Sequence, residues 1–316
     1  MKLYSAEAGL AERLISTAQP SITIRSGVSP ELKTVPYWRE LLKLKVRSLA
    51  HYQHTRRWLG LLNSHPAFSE YVRNWPRFLY KIYRPYLTAT LSMDARLAVL
   101  SSHYQFMFEH GLGPLLVQAS HSGVPLVAFE GKGGTAYRLV LRAVGTNLER
   151  EGELVLQLCQ GDELVYSAAF TFAWRGESHA VNIGCVQGGR SAGNQDAIRL
   201  ATRELHGMRP RQLLVTLVRQ LGHQFGCAQL MLVSNENRVV RCAMRKGRVL
   251  ADYNQAWEEM GAERMADGDY RIACAPLQAP DLEAIPSKKR SEARKRHELM
   301  TFLATTLNER LWGQRR

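Results

Sequence analysis

Apolar side chains return at helical spacing through the first hundred residues. Trp38, Leu41, Leu42, Val46 and Leu49 predict a helix opened by Pro36-Tyr37-Trp38, with Lys43, Lys45 and Arg47 between them. Thr55 to Asn63 predicts a second short helix, stopped by Pro66. Ser92 is placed to cap a third, in which Met93, Leu97, Leu100, Tyr104 and Met107 share a face, closed by Gly111.

The period then shortens. Leu126–Phe129, Tyr137–Val144, Leu154–Cys159, Leu164–Phe172 and Val181–Val186 read as strands, with turns at Glu151-Gly152, Gln160-Gly161-Asp162 and Arg175-Gly176-Glu177. Tyr137 to Arg142 alternates apolar with polar residues, as in a sheet with one wetter face. Helices return after this antiparallel meander. Asn194 is placed to cap one running to His206 and Gly207, and Pro210 suits the first turn of the next. That helix carries Leu213, Leu214, Leu217, Val218, Leu221 and Phe225 in one stripe, ended by Gly226. Leu230–Val233 predicts a buried strand, Tyr253–Met260 a helix, Tyr270–Ala273 a strand, and Ser287 begins a final helix made amphipathic by Leu299, Phe302, Leu303 and Leu307. The pattern predicts an α/β (α+β) protein: a helical N-terminal region (1–112), a core domain with a mainly antiparallel central sheet flanked by helices (113–285), and a basic amphipathic C-terminal helix (286–316).

The 316 residues carry a net charge of +14, placed unevenly. Residues 1–100 hold 15 Lys/Arg against 6 Asp/Glu and residues 286–316 hold 9 against 3, whereas the middle is close to neutral. Basic ends on a neutral core point to an anionic partner: a membrane surface or lipid, a nucleic acid, or a phosphorylated cofactor. No nucleic-acid-binding motif accompanies the charge. No window approaches the roughly 18 consecutive apolar residues of a membrane span, and Glu7, Glu12 and Arg13 interrupt the stretch a signal peptide would need. The expected location is cytoplasmic, peripheral on a membrane. Five cysteines without a C-x-x-C pair predict reduced thiols and no zinc knuckle.

Three segments carry candidate chemistry. Asp196, Arg199, Arg203 and His206 are spaced to share a helix face that leads into Arg209-Pro210-Arg211. Arg203, Gly207, Arg209 and Arg211 thereby become candidate phosphate ligands, because free N–H groups and the helix dipole favour an anion there. The ordinary alternative is a solvated face with one ion pair. His206 is a candidate proton acceptor, its pKa lowered by neighbouring cations, and equally a helix-end residue. Glu130, before the Gly131–Gly134 turn, is a candidate general base or a plain turn acid. Lys288, Lys289, Arg290, Arg294, Lys295 and Arg296 form a basic helix start suited to an anionic surface. The run from Trp75 to Tyr86 fits a headgroup interface or core packing equally.

Asp196 to Pro210, the run Ala251-Asp252-Tyr253 with Trp257 and Gly261, and Ile285 to His297 resemble the VirK/YbjX family. That likeness implies a Gram-negative protein tied to envelope remodelling, lipid A acylation phenotypes, antimicrobial-peptide resistance, stress and virulence, and supplies no catalytic residue. The order of elements from Val181 to Tyr270 also resembles GNAT-type acyltransferases, in which a Gly-rich turn holds the coenzyme A pyrophosphate. This second likeness implies acyl-CoA or an acyl carrier protein as donor, with Gly207 to Arg211 at the phosphates. It makes Tyr253 a candidate general acid and Glu130 or His206 a candidate base.

Overall fold

A computed structural model describes residues 21–143, 145, 147–191, 193–239 and 252–313. Cys242 and Ala251 lie outside them. The chain divides into two compact units, Met1–Tyr80 and Lys81–Arg316.

The first unit holds α1 (Thr34–Ala50), α2 (Tyr52–Leu62) and α3 (Ala67–Asn74). Its core is aromatic: Phe78 lies 5.4 Å from Trp58 and 5.8 Å from Tyr71, centroid to centroid. The Trp75–Tyr86 run thus serves packing more than a headgroup interface, with Phe78, Leu79, Tyr80, Ile82 and Tyr86 all buried.

The second unit is built on an eight-stranded sheet of order β1-β2-β3-β4-β5-β6-β8-β7. The strands are β1 (Val124–Glu130), β2 (Ala136–Ala143), β3 (Leu154–Gln160), β4 (Glu163–Arg175), β5 (Ser178–Gly188), β6 (Gln229–Leu232), β7 (Glu263–Arg264) and β8 (Tyr270–Ala273). Every pairing is antiparallel except β5 with β6. Tyr137, Leu139 and Leu141 point into the core, while Arg138 and Arg142 line an open cavity of about 510 Å³ on the other face. This is the one-sided wetting that alternation predicts. The predicted strands are all present. The helices α4 (Met93–Glu109), α5 (Gly113–His121), α6 (Asn194–Glu204), α7 (Pro210–Gln224), α8 (Tyr253–Glu259) and α9 (Ser287–Gly313) complete the unit. Ser92 does cap α4, accepting from the Ala95 N–H at 3.2 Å.

A parallel neighbour needs a crossover connection, and the chain supplies it between β5 and β6 as α6 and α7. Leu213, Leu214, Leu217, Val218 and Leu221 of α7 are buried, and the helix packs against β3, β4, β5 and β6. Pairing between β5 and β6 runs only from Ala180↔Gln229 to Ile183↔Leu232. At that point β5 bulges: Ala169 faces Cys185 and Phe170 faces Ile183, leaving Gly184 as the extra residue. A Cβ on Gly184 would sit 2.1 Å from the Glu151 carbonyl oxygen, so only glycine fits there.

Beyond Leu154, where β3 starts, the edge of β4 is covered by α4. Ser102 Oγ accepts from the Trp174 N–H at 2.7 Å and His103 Nδ1 from the Phe172 N–H at 3.2 Å. A buried polar cluster lies alongside. Lys81 Nζ is 2.6 Å from Glu153 Oε1, Tyr104 donates to Glu153 Oε2 at 2.5 Å, and Tyr86 pairs with Thr171 at 2.8 Å. Burial pushes the Glu153 carboxyl up, but Lys81, His103 and Tyr104 outweigh it and hold the pKa below the ordinary value.

Burial drives the His103 pKa down to about 4, against a smaller upward pull from Glu153. Its ordinary value is 6.5, so at intermediate pH the unfolded chain binds a proton that the folded chain refuses. Stability therefore falls as the pH drops from about 6.5 towards about 4, by roughly 3 kcal/mol for this group. Urea unfolding at stepped pH tests this against His103→Asn, which keeps an acceptor for Phe172 but cannot be protonated. The variant is expected to lose that part of the slope, and an unchanged slope would refute the assignment.

Candidate functional site

Helix α6 ends at Glu204. His206 and Gly207 then adopt left-handed backbone, with φ of 54° and 78°, and the chain reverses over buried Leu205 and Met208. The Gly207 N–H donates to the Thr202 carbonyl at 2.8 Å, as at many helix ends. Helix α7 starts at once, with Arg209 as its cap residue and Pro210 in its first turn.

This reversal sets α6 beside the amino end of α7. Arg199 and Arg203 from α6, Arg209 and Arg211 from α7, and Tyr166 from β4 line one open cavity of about 850 Å³. The two α7 arginines do not splay apart. Arg209 Nη1 lies 3.3 Å and Arg211 Nη2 3.6 Å from the same oxygen, Oε2 of Glu259. Gln255 donates to the other oxygen of Glu259 at 3.1 Å, holding the carboxylate between them. Asp196 pairs with Arg199 at 3.0 Å on the exposed rim. Four guanidinium groups thus face two carboxylates beside a helix N-terminus, which leaves the groove cationic and suited to phosphate oxygens. Glu259 was missed in the sequence. Its place opposite Arg209 and Arg211 comes from a fold-level approach of α8 to α7 that no local pattern encodes.

Two expectations about α6 need correction. Asn194 is the first helical residue and no side chain caps the helix, Gly193 standing at the cap. His206 does not share the face of Asp196, Arg199 and Arg203, because the helix stops two residues earlier and the left-handed turn swings it away. It lies outside the groove lining. Its pKa is lowered, first by loss of solvent and then by Lys295 and Lys132. Its carbonyl accepts from Arg296 Nε at 3.1 Å and Nη2 at 2.9 Å. Arg296 therefore ties α9 to the turn.

Glu130 is exposed at the end of β1, paired with Ala136. The glycine turn after it docks on α6: Lys132 N–H donates to the Glu204 carbonyl at 2.9 Å and Gly133 N–H to Glu204 Oε2 at 2.7 Å. A Cβ on Gly131 would meet Glu204 at 2.5 Å, so its glycine permits that close approach. Lys288, Lys289, Arg290, Arg294 and Lys295 are exposed along the start of α9, whereas Arg296 is partly covered.

Tyr253 is fully buried where β5 and β6 diverge. The Val186 N–H donates to its hydroxyl at 2.8 Å and the hydroxyl donates to the Val186 carbonyl at 2.5 Å. Four residues along the same helix, Trp257 Nε1 donates to the Val233 carbonyl at 2.8 Å. One side chain satisfies β5 and the other the residue that follows β6, so α8 closes the gap that the ended pairing leaves. Arg238 sits 3.9 Å above the Tyr253 ring. Burial, reinforced by Cys185, raises the Tyr253 pKa well above the ordinary value. Burial also pushes the Cys185 thiol up to about 11. Cys159, Cys185, Cys227 and Cys274 are free thiols.

The structure brings Arg203, Arg209 and Arg211 together, with Gly207 in the turn between them. His206, Glu130 and Tyr253 do not line that groove. Fold and site together define a mixed α/β protein with a cationic groove at a helix N-terminus. Its residues 33–309 match the model of a protein family of unknown function, DUF535, and the chain belongs to that family. It is 28% identical over 265 residues to the uncharacterized protein YbjX of Escherichia coli (strain K12), covering 82% of this chain and 79% of that one. An uncharacterized protein of Haemophilus influenzae (strain ATCC 51907 / DSM 11121 / KW20 / Rd) is 26% identical over 281 residues, covering 87% and 89%. Among solved structures, a cAMP-binding acyltransferase from Mycobacterium smegmatis aligns with a TM-score of 0.27 and 12% identity, over 73% of this chain and 65% of that chain. At that score the alignment carries no argument about chemistry. No helix among the described residues is long and apolar enough to cross a membrane.

The two roles open to Tyr253 separate on stability. Tyr253→Phe leaves the Val186 N–H and carbonyl without their partner, at a cost of about 1–3 kcal/mol. Chemical denaturation is expected to show that loss. A variant as stable as the parent would contradict the sealing role.

Proposed function

We propose that the chain binds the phosphate groups of an acyl donor, a coenzyme A thioester or the phosphopantetheine of an acyl carrier protein, in the groove formed by Arg203, Arg209 and Arg211. On this reading it works from the cytoplasmic side in bacterial envelope modification, the setting of lipid A acylation and antimicrobial-peptide resistance. The observation that carries it is that Arg209 and Arg211, which line the groove with two further arginines, converge on one carboxylate oxygen, Oε2 of Glu259. Like-charged groups crowd there at a cost that a bound polyanion removes. On this reading a phosphate oxygen competes with Glu259 for Arg209 and Arg211. The resemblance of the element order from Val181 to Tyr270 to GNAT-type acyltransferases, in which a turn at the corresponding place holds the coenzyme A pyrophosphate, supports the reading.

The reaction would be attack by an amine or hydroxyl on the thioester carbonyl, with the acceptor's proton taken by a neighbouring base. Neither candidate base, Glu130 or His206, nor the candidate acid Tyr253 lines the groove. This favours a second reading, a non-enzymatic adaptor that uses the same cations for an anionic lipid, a nucleic acid or a protein partner.

A thermal-shift titration separates the two. Coenzyme A is expected to stabilise the protein by about 2.7 kcal/mol at a hundredfold excess over its dissociation constant. The gain disappears in Arg209→Ala with Arg211→Ala. Glu259→Gln, which removes the competing carboxylate, is expected to bind more tightly. Thiol release from acyl-CoA with an amine or hydroxyl acceptor present marks transfer, whereas an adaptor is expected to bind anionic vesicles or nucleic acid and to ignore both compounds. No stabilisation by either compound would end the donor reading.

A further inference from the structure

Helix α1 presents two apolar faces. Leu41 and Leu44 are buried in the first unit. On the opposite side Val35, Trp38, Leu42, Val46 and Leu49 form a continuous stripe whose members are 58–78% exposed. Their spacing of three and four residues places them on one line along the helix. Scattered exposed apolar residues are ordinary, but an aligned stripe of five is the kind of patch that marks an interaction site.

The borders of the stripe indicate what it meets. Successive residues are turned by about 100°, so Arg39 and Lys43 flank it on one side and Lys45 on the other. Glu40 is the helix's one acidic residue, lies towards the buried side, and is held by Lys43 at 2.8 Å and Arg39 at 3.7 Å. Arg47 leans over the Tyr80 ring at 5.8 Å. Two copies of this face would bring cationic borders together, which opposes self-association. An acidic bilayer accepts both parts: the apolar stripe enters the acyl boundary, Lys and Arg extend to phosphate, and Trp38 suits the interface.

We propose that the α1 face carrying Val35, Trp38, Leu42, Val46 and Leu49 is a docking surface for acidic phospholipid. It shares no residue with the arginine groove, and its test does not involve a donor.

Flotation of the full chain with vesicles of phosphatidylcholine, alone or with phosphatidylglycerol added, tests the proposal. The parent chain is expected to float with the acidic vesicles, to be released by salt, and to stay behind with neutral ones. Leu42→Ser with Val46→Ser and Leu49→Ser should lower the partition at least about tenfold, with no change in melting temperature because all three are exposed. Lys43→Gln with Lys45→Gln should lower it about fivefold per charge. Lys288→Gln with Lys289→Gln and Arg290→Gln should leave it unaltered. The proposal is overturned if the parent does not float, if it floats equally with neutral vesicles, or if the serine variant floats like the parent. It is equally overturned if the α9 variant alone abolishes flotation. A serine variant that melts earlier, or turns a dimer into a monomer by light scattering, assigns the stripe to protein contacts instead.

Discussion

The single parallel pairing in the sheet, β5 with β6, constrains everything built around it. Antiparallel neighbours can be joined by short turns, but parallel ones need a crossover. That requirement places α6 and α7 between the two strands and draws α7 across the sheet. The pairing lasts four residues, from Ala180 to Ile183, before Gly184 bulges and the strands part. From there the chain needs another source of hydrogen bonds. Tyr253 and Trp257 provide it, one for β5 and one for the residue that follows β6. The same helix α8 ends in Glu259, which brings an acidic group against Arg209 and Arg211. Sheet divergence, helix closure and the charged groove are thus linked through a single seven-residue helix.

The groove gathers four arginines beside a helix N-terminus, and His206, Glu130 and Tyr253 do not line it. Its cations come from two helices and the turn between them, its lining includes the buried Tyr166, and Arg209 and Arg211 are held by Glu259. The three side chains expected to carry proton chemistry lie elsewhere. Tyr253 is spent on Val186, His206 faces the cations of α9 and Lys132, and Glu130 stands at a hairpin end. Binding chemistry is therefore better defined by this fold than transfer chemistry.

Periodicity carried most of the fold. Tyr270–Ala273 appears where alternation placed it, Pro210 opens its helix, and Ser92 caps α4, because each depends on local backbone chemistry. The groove arginines were legible for the same reason: their spacing straddles a turn that Gly207 and Pro210 mark. What stayed hidden depends on approach between distant segments. His206 looked like part of the α6 face until its left-handed φ turned it out. Gly131 and Gly133, legible only as part of a turn, are the space that lets Glu204 dock. Glu259 has no signal in its own neighbourhood. The Trp38–Leu49 periodicity is as strong as a core face, yet the core takes Leu41 and Leu44 and leaves the rest exposed, and a one-dimensional pattern does not tell those outcomes apart.

The most direct measurement is a crystal structure of the protein with coenzyme A. The account predicts pyrophosphate oxygens within hydrogen-bonding distance of Arg209 and Arg211, with Arg203 closing from α6 and Glu259 displaced from both guanidinium groups. A ligand found elsewhere on the protein, with Arg209 and Arg211 still resting on Glu259, would contradict it.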